Sequence, residues 1–136
     1  MAIVYLDTSA LVKLVVDEPG SVLAAALWDG ADLVVTSRLA DAEVRAVLAS
    51  GHRAGRLEGP DATVEWERLL PGLHVIELGS SVTTAAARLV DEHPLRAADA
   101  LHLASALELR SPDLVVAVWD EHLAAAARAE GLRVVP

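Results

Sequence analysis

The sequence predicts an α/β fold in which a mostly parallel central sheet is flanked by helices in three layers. Short runs of aliphatic and β-branched residues recur along the chain, and the stretches between them repeat apolar residues with helical spacing. The order is β-α-α-β-α-α-β-α-α-β-α-β, an alternation typical of parallel sheets covered on both faces. No linker or repeat divides the 136 residues, so we expect one domain, 1–136.

The predicted strands are short and mostly apolar, as strands buried on both faces are. They cover residues 3–6, 33–35, 73–78, 114–118 and 132–135. Capping residues and helix breakers bound the predicted helices. Ser21, Ser37 and either Ser80 or Ser81 are expected as N-caps, and Gly131 suits the position after a helix. The helices begin at 9 and then cover 21–28, 37–50, 56–70 as one helix or a pair, 80–93, 96–109 and 121–130.

The composition excludes several classes of protein. Apolar residues make up 54% of the chain, which suits a globular core, and the absence of cysteine excludes disulfides, thiolate metal sites and a cysteine nucleophile. The first residues lack the basic segment of a signal peptide, and no apolar run reaches the roughly 18–20 residues that span a bilayer. We therefore expect a cytoplasmic protein with no membrane contact. The net charge of −9 argues against a nucleic-acid partner, unless some of the acids hold cations.

Two aspartates follow predicted strands. Asp7 comes directly after the first strand and Asp120 shortly after the fourth, so both are expected at the edge of the sheet where ligands bind in parallel α/β folds. Each could instead be only the N-cap of the helix that follows, since capping is a common use of aspartate.

Two further acids lie inside predicted helices among apolar neighbours. Glu43 flanks the buried face of its helix, and Asp99 stands in an alanine-rich stretch where aspartate is a poor helix former. Glu43 could be an exposed helix residue, although Val47 offers it no partner one turn on. Asp99 could be a first-turn acid favoured by the helix dipole. Taken together, four acids without cysteine suit the hard cations Mg²⁺ and Mn²⁺, which activate water and stabilise phosphoryl groups.

Four segments of the chain resemble PIN-domain proteins, especially the VapC-type toxins of bacterial toxin–antitoxin pairs. The resemblance is collinear over nearly the whole chain and weakest over 53–70. The segments are YLDTSALVKLVVDEPGS, VVTSRLADAEVRAVLAS, LRAADALHLASALEL and VVAVWDEHLAAAARAEGLRVV. The resemblance implies a PIN-like fold and an endoribonuclease that hydrolyses RNA with Mg²⁺ or Mn²⁺. It also implies a cognate VapB-type antitoxin and a homodimer, with 9–28 and 37–50 as candidate contact surfaces.

The family's acids correspond to particular residues of this chain. They are Asp7, Glu43, Asp99 and Asp120. The resemblance implies that Asp7 and Asp99 bind the metal directly, and that the other two bind through water or hold a second ion. Thr8 or Ser9 matches the family's hydroxyl and is expected, with Arg96, at the substrate. One position departs from the pattern, because Val118 stands where members often carry a hydroxyl two residues before the fourth acid.

Other polar and aromatic residues allow more than one interpretation. Arg96 lies three residues before Asp99 and could orient that carboxylate, meet a phosphate or be a surface cation. His102 is favoured as a core or helix-surface histidine over a ligand. The remaining candidates form two groups. The arginines could guide RNA through phosphate contacts or offset nearby acids. The tryptophans could stack on bases, but a place in the core or at an interface is favoured. These are Arg38, Arg45, Arg53 and Arg56, and Trp28, Trp66 and Trp119.

Two alternatives to the ribonuclease follow from the residues. A catalytically degenerate PIN-like domain that acts only by binding is suggested by Val118. A phosphoryl acceptor or phosphatase on a similar α/β fold is disfavoured, because Lys13 is in the wrong place for a receiver domain and Ser9 stands where a phosphatase would need an acid.

Overall fold

The computed structural model describes all 136 residues as five strands and seven α-helices in the order that the sequence predicts. The strands are β1 (Ile3–Leu6), β2 (Leu33–Ser37), β3 (His74–Ile76), β4 (Leu114–Ala117) and β5 (Arg133–Val135). The helices are α1 (Thr8–Val15), α2 (Ser21–Gly30), α3 (Leu39–Arg53), α4 (Asp61–Leu69), α5 (Ser80–Glu92), α6 (Ala97–Glu108) and α7 (Glu121–Ala129). A 3₁₀ turn, Leu70–Gly72, joins α4 to β3.

The five strands form one sheet in the order β3-β2-β1-β4-β5, and every neighbouring pair is parallel. The chain builds outward from β1 to β3 on one side and then returns to place β4 on the other side of β1. Leu6 and Ala117 are partners at the carboxyl ends of β1 and β4. The switch in direction between these two strands is the place where parallel sheets of this kind bind ligands.

Two apolar clusters cover the two faces of the sheet, which confirms the three-layer prediction. One joins Tyr5 and the alternate residues of β4 to α5, α6 and α7. The other joins Leu6 to α1, α3 and the fully buried Trp66 of α4. Because successive side chains of a strand point to opposite faces, Tyr5 and Leu6 belong to different clusters. None of the helices is both long and apolar enough to cross a membrane.

Several predicted helix ends are wrong in detail. Ser21 is the first residue of α2 rather than its cap, and its hydroxyl instead accepts from the backbone N–H of Glu18 at 3.0 Å. Gly79 precedes α5 with no side-chain cap, so neither Ser80 nor Ser81 has that role. Ser37 lies one residue earlier than a cap, although its hydroxyl accepts from the N–H of Leu39 at 3.1 Å.

The predicted helix or pair over 56–70 is shorter than expected. Only α4, from Asp61 onward, is helical, because the preceding segment turns at Gly55 and Gly59 with φ of 75° and 68°. Positive φ is the conformation that glycine tolerates best, and it does not continue a right-handed helix.

Candidate active site

A pocket of about 370 Å³ lies at the carboxyl edge of the sheet. Its walls come from the ends of β1 and β4 and from α1, α3 and α6. All seven site residues predicted from the sequence line it: Asp7, Thr8, Ser9, Glu43, Arg96, Asp99 and Asp120. The remaining lining residues are Val12, Glu18, Val47 and His102. The fold thus brings together acids that are up to 113 positions apart, from 7 to 120, in the sequence.

Asp7 is the most buried of the four acids, with 5% of its surface exposed. Its Oδ1 accepts the hydroxyl of Ser9 at 2.6 Å and the backbone N–H of Ala10 at 3.0 Å, so it is also the N-cap of α1. Burial raises the pKa of Asp7, and this outweighs the two hydrogen bonds that favour its charged form. Oδ2 accepts no hydrogen bond from the chain. Either a proton or a cation at the open oxygen would offset the cost of burying this carboxylate.

Asp120 repeats this arrangement at the next strand. Its Oδ1 accepts the backbone N–H of Leu123 at 2.8 Å and caps α7. Val118 is a core residue with 2% exposure, and its backbone N–H donates to Val135 at 3.0 Å. The position where a hydroxyl was expected therefore belongs to the apolar cluster and does not line the pocket. The N-cap interpretation is right for both aspartates, and it leaves one oxygen of each free.

Glu43 reaches the pocket from α3 and is held by two donors on the same oxygen. Thr8 Oγ1 donates to Oε1 at 2.7 Å, and His102 Nε2 lies 2.6 Å from that atom. Partial burial raises the pKa of Glu43, but the hydrogen bonds from His102 and Thr8 outweigh it and lower the pKa overall. Glu43 is therefore a carboxylate at neutral pH, with Oε2 open.

Asp99 and Arg96 face each other at the start of α6. Arg96 Nε lies 3.4 Å from Asp99 Oδ2, a long contact between a side chain that is 85% exposed and one that is 18% exposed. The two side chains are therefore neighbours at the start of α6, as their spacing of three residues predicts. Since the guanidinium is so exposed and so loosely held, it is available to an anion at the mouth of the pocket.

The hydroxyls of Thr8 and Ser9 are used inside the site. Thr8 donates to Glu43, and Ser9 donates to Asp7. Both residues line the pocket, where their hydroxyls orient carboxylates, and their contact with the substrate stays a prediction.

His102 lines the pocket and contacts one of the four acids, which the sequence analysis did not predict. It is buried, with 3% exposure, as a core histidine would be. Its Nε2 lies 2.6 Å from Glu43 Oε1, and its Nδ1 lies 2.8 Å from the hydroxyl of Tyr5. Burial raises the pKa of Tyr5 well above its ordinary value, and the charge of Asp7 raises it further. The sequence places His102 three residues after Asp99, which was the only indication that it belongs to the site. Its hydrogen-bond partners, Tyr5 and Glu43, are 97 and 59 positions away.

The remaining candidates divide clearly. Arg38 and Arg45 form ion pairs with carboxylates, so they offset nearby acids as one interpretation expected. Arg53 and Arg56 are exposed and form no ion pair. Trp66 is core, and its Nε1 donates to Asp41 at 2.8 Å. Trp28 and Trp119 are partly buried against the same apolar cluster, in line with the core or interface interpretation.

A second group of metal-ligating side chains lies where α5 and α7 end. One ligand atom from each of Glu92, His93 and Glu130 lies within 4.8 Å of the others. Arg88 already donates to Glu92 at 2.8 Å and to Glu130 at 3.0 Å. Because the guanidinium supplies the positive charge, this group is an ion-pair network within the protein.

Comparison with known proteins identifies the family. The PIN domain family matches residues 4–135. Ribonuclease VapC45 of Mycobacterium tuberculosis (strain CDC 1551 / Oshkosh) is 50% identical over 139 residues, covering 100% of this chain and 96% of that protein. The crystal structure of PAE2754 from Pyrobaculum aerophilum has a TM-score of 0.73 at 22% identity, covering 98% of this chain and 84% of that one.

A toxin–antitoxin complex from Klebsiella pneumoniae contains a chain with a TM-score of 0.69 at 20% identity, and the match covers 100% of this chain and 97% of that one. At these identities the two solved structures establish the fold alone. The family match over nearly the whole length, together with a relative that shares half of its residues, places this chain in the PIN domain family.

Proposed function

We propose that this protein is a metal-dependent endoribonuclease that acts in the cytoplasm as the toxin of a toxin–antitoxin pair, with 1–136 as one PIN domain. The observation that carries the proposal is the convergence of four carboxylates on one pocket, each with one oxygen held by the chain and the other open. The acids are Asp7, Glu43, Asp99 and Asp120. The 50% identity to ribonuclease VapC45 supports RNA as the substrate.

The donor set fits Mg²⁺ or Mn²⁺, because it consists of carboxylate oxygens without sulfur. Asp7 and Asp99 would hold the ion directly, and Glu43 and Asp120 would hold it through water or hold a second ion. A bound ion supplies the positive charge that activates water and stabilises the phosphoryl group during hydrolysis. The chain itself keeps these carboxylates in place through Ser9, Thr8, His102 and two helix N-termini.

Arg96 is proposed to contact a phosphate of the RNA, because its guanidinium is exposed beside the acids. The net charge of −9 opposes this assignment less than it would alone, since four of the acids line the pocket of the proposed cation. Cation binding would make the pocket less repulsive to a polyanion.

A VapB-type antitoxin and a second copy of the chain are the proposed protein partners. The toxin–antitoxin complex from Klebsiella pneumoniae has a chain of this fold, which supports a protein antitoxin. Val22 and Leu23 on α2 and Val47 on α3 are exposed apolar side chains on the two candidate contact segments, 87%, 38% and 44% exposed. Burying them would favour association.

The test is cleavage of total RNA by the purified protein with EDTA, Mg²⁺ or Mn²⁺. We expect cleavage only with a divalent ion, and its loss in Asp7→Asn. Asp91→Asn is the matched control, because it removes a carboxylate from an exposed position of α5 outside the pocket. Cleavage that persists in both EDTA and Asp7→Asn would contradict the proposal. Absence of both Mn²⁺ binding and cleavage would favour the catalytically degenerate binding domain.

A further inference from the structure

Three side chains form a hydrogen-bonded line from the core of the sheet to the pocket. The hydroxyl of Tyr5 lies 2.8 Å from His102 Nδ1, and His102 Nε2 lies 2.6 Å from Glu43 Oε1. Tyr5 and His102 are 1% and 3% exposed, so solvent competes little for these bonds. The line joins β1, α6 and α3, and the hydroxyl of Thr8 on α1 also lies 3.1 Å from His102 Nε2.

The hydrogen-bonding chemistry of the groups constrains where the protons lie. A carboxylate only accepts, so Nε2 of His102 must carry a proton toward Glu43. The hydroxyls of Thr36 and Ser105, close to Tyr5, donate to backbone carbonyls at 2.7 Å each. Neither therefore donates to Tyr5, whose own proton is free to point at Nδ1. A ring with a proton on Nε2 and a lone pair on Nδ1 satisfies the hydrogen bonds of the whole line.

We propose that His102 is a positioning residue for Glu43 and that Tyr5 selects the tautomer that lets it act. The inference rests on the proposed function, in which Glu43 is one of the acids that hold the metal. His102 and Thr8 both engage Oε1, so together they leave Oε2 as the oxygen available to the ion or its water. Neither Tyr5 nor His102 supplies a metal ligand in this arrangement.

We expect loss of this positioning to weaken metal binding more than RNA binding. Removing a group that orients a metal ligand typically weakens metal affinity or activity about 10–100-fold. We expect His102→Asn to raise the Kd for Mn²⁺ by about that factor, because its amide lies near the Nδ1 position and falls short of Glu43. His102→Gln places an amide nitrogen near the Nε2 position and should recover much of the loss. Tyr5→Phe removes one oxygen only and should raise the Kd by a smaller factor.

The measurement is calorimetric titration of Mn²⁺, with RNA cleavage followed in parallel. A positioning role predicts a fall in kcat at saturating metal with little change in KM for RNA, and recovery in the glutamine variant. His74→Asn is the matched control, because it alters an exposed histidine of β3. Equal Kd values for wild type, His102→Asn and Tyr5→Phe would overturn the inference. If the asparagine variant does not fold, Tyr5→Phe and Thr8→Val test the same carboxylate more gently.

A spectroscopic readout separates this inference from the proposed function. Imidazole ¹⁵N spectra of the metal-free protein should show His102 protonated on Nε2 and accepting a hydrogen bond at Nδ1, with the Nδ1 shift moving in Tyr5→Phe. A proton on Nδ1 would overturn the role of Tyr5. If wild type shows the expected tautomer but neither binds Mn²⁺ nor cleaves RNA, the proposed function fails together with the positioning role, and the hydrogen-bonded line stands as a structural feature alone.

Discussion

Asp7 and Asp120 stand in the same relation to the helices that follow them. Asp7 Oδ1 accepts the backbone N–H of Ala10 at 3.0 Å. Asp120 Oδ1 accepts that of Leu123 at 2.8 Å. Since capping occupies one oxygen of each, the second is free for a cation. Alanine at either position would remove a cap and a ligand together, whereas asparagine keeps the cap and removes only the charge.

The first prediction is that Asp7→Asn stabilises the metal-free protein while it abolishes cleavage. Burial raises the pKa of Asp7, so stability contributed by this group is greatest when it is protonated and falls as pH rises through its folded pKa. Asparagine removes the buried charge and keeps the acceptor for Ser9 and Ala10. We expect a higher Tm than wild type at pH 7.5 in EDTA, and RNA cleavage reduced by more than about 100-fold.

In the presence of Mn²⁺, the Tm of wild type should exceed that of Asp7→Asn, the reverse of the order in EDTA. Wild type gains stability in proportion to the logarithm of the metal concentration over its Kd, and the variant should not. A lower Tm for Asp7→Asn in EDTA, or equal gains from Mn²⁺, would contradict the assignment of Asp7. Asp7→Ala separates the two roles of the residue, because it should lose about 1 kcal/mol of capping free energy as well.

The second prediction concerns Gly20, which precedes α2 with φ of 95°. A Cβ there would lie 2.8 Å from Lys13 Cε and 2.8 Å from Trp119 Nε1. Lys13 lies over the Trp119 ring, 5.0 Å from its centroid, and Trp119 precedes Asp120. Gly20→Ala should therefore destabilise the protein by about 1–2 kcal/mol or more and weaken Mn²⁺ binding.

Gly79→Ala provides the matched control for this prediction. Gly79 also precedes a helix, but its φ is −77° and no atom lies within 4 Å of an added Cβ. Its substitution should lower the free energy of unfolding in urea by less than about 1 kcal/mol, the preference of an N-cap for glycine over alanine. Equal effects of the two substitutions would show that Gly20 has no special requirement.

The third prediction is a loss of stability in acid that depends on Glu130. The hydrogen bond from His93 Nε2 at 2.9 Å lowers the pKa of Glu130, and Arg88 lowers it further. A lowered pKa contributes stability that is present above the ordinary value of 4.5 and is lost as pH falls through the folded value. Glu130→Gln should cost no more than about 1 kcal/mol at pH 7, because Arg88 is half exposed.

The difference between wild type and Glu130→Gln should shrink as pH falls below 4.5 and disappear once the pH is below the lowered pKa of Glu130, where the carboxylate of wild type is protonated as well. Urea unfolding at several pH values measures it. Glu58→Gln, at an exposed glutamate outside any ion pair, is the control. A difference that does not change with pH would show that the His93 and Arg88 contacts contribute no net free energy.

The order of elements and the position of the pocket followed from the sequence, because both depend on local patterns and one rule of topology. Short aliphatic runs and helical spacing predicted the strands and helices, and strand ends predicted where Asp7 and Asp120 would meet. The N-caps were less predictable. Ser21 and Ser80 are typical capping residues, but glycines one position earlier begin those helices without a side-chain cap.

The partners of His102 could not be predicted, because single-sequence spacing reports neighbours on one helix only. Its contacts to Tyr5 and Glu43 join three elements that only the folded sheet brings together. Val118 shows the opposite case. The resemblance raised the question of a missing hydroxyl there, and the burial of Val118 in the apolar cluster explains how the chain accommodates its absence.

The fourth prediction assigns a phosphate contact to Arg96. If its exposed guanidinium contacts the RNA backbone, Arg96→Gln should weaken RNA binding at low salt. The slope of log K against log salt concentration should also become less negative, by about 0.7 for single-stranded RNA. Binding is measured by fluorescence anisotropy in the Asp7→Asn background, so that the RNA stays intact. Arg68→Gln is the control, since it removes the same charge at a different pocket. Equal changes in slope for both variants would mean that Arg96 contributes only to the general field of the protein, and an unchanged slope for Arg96→Gln would remove it from the RNA-binding surface.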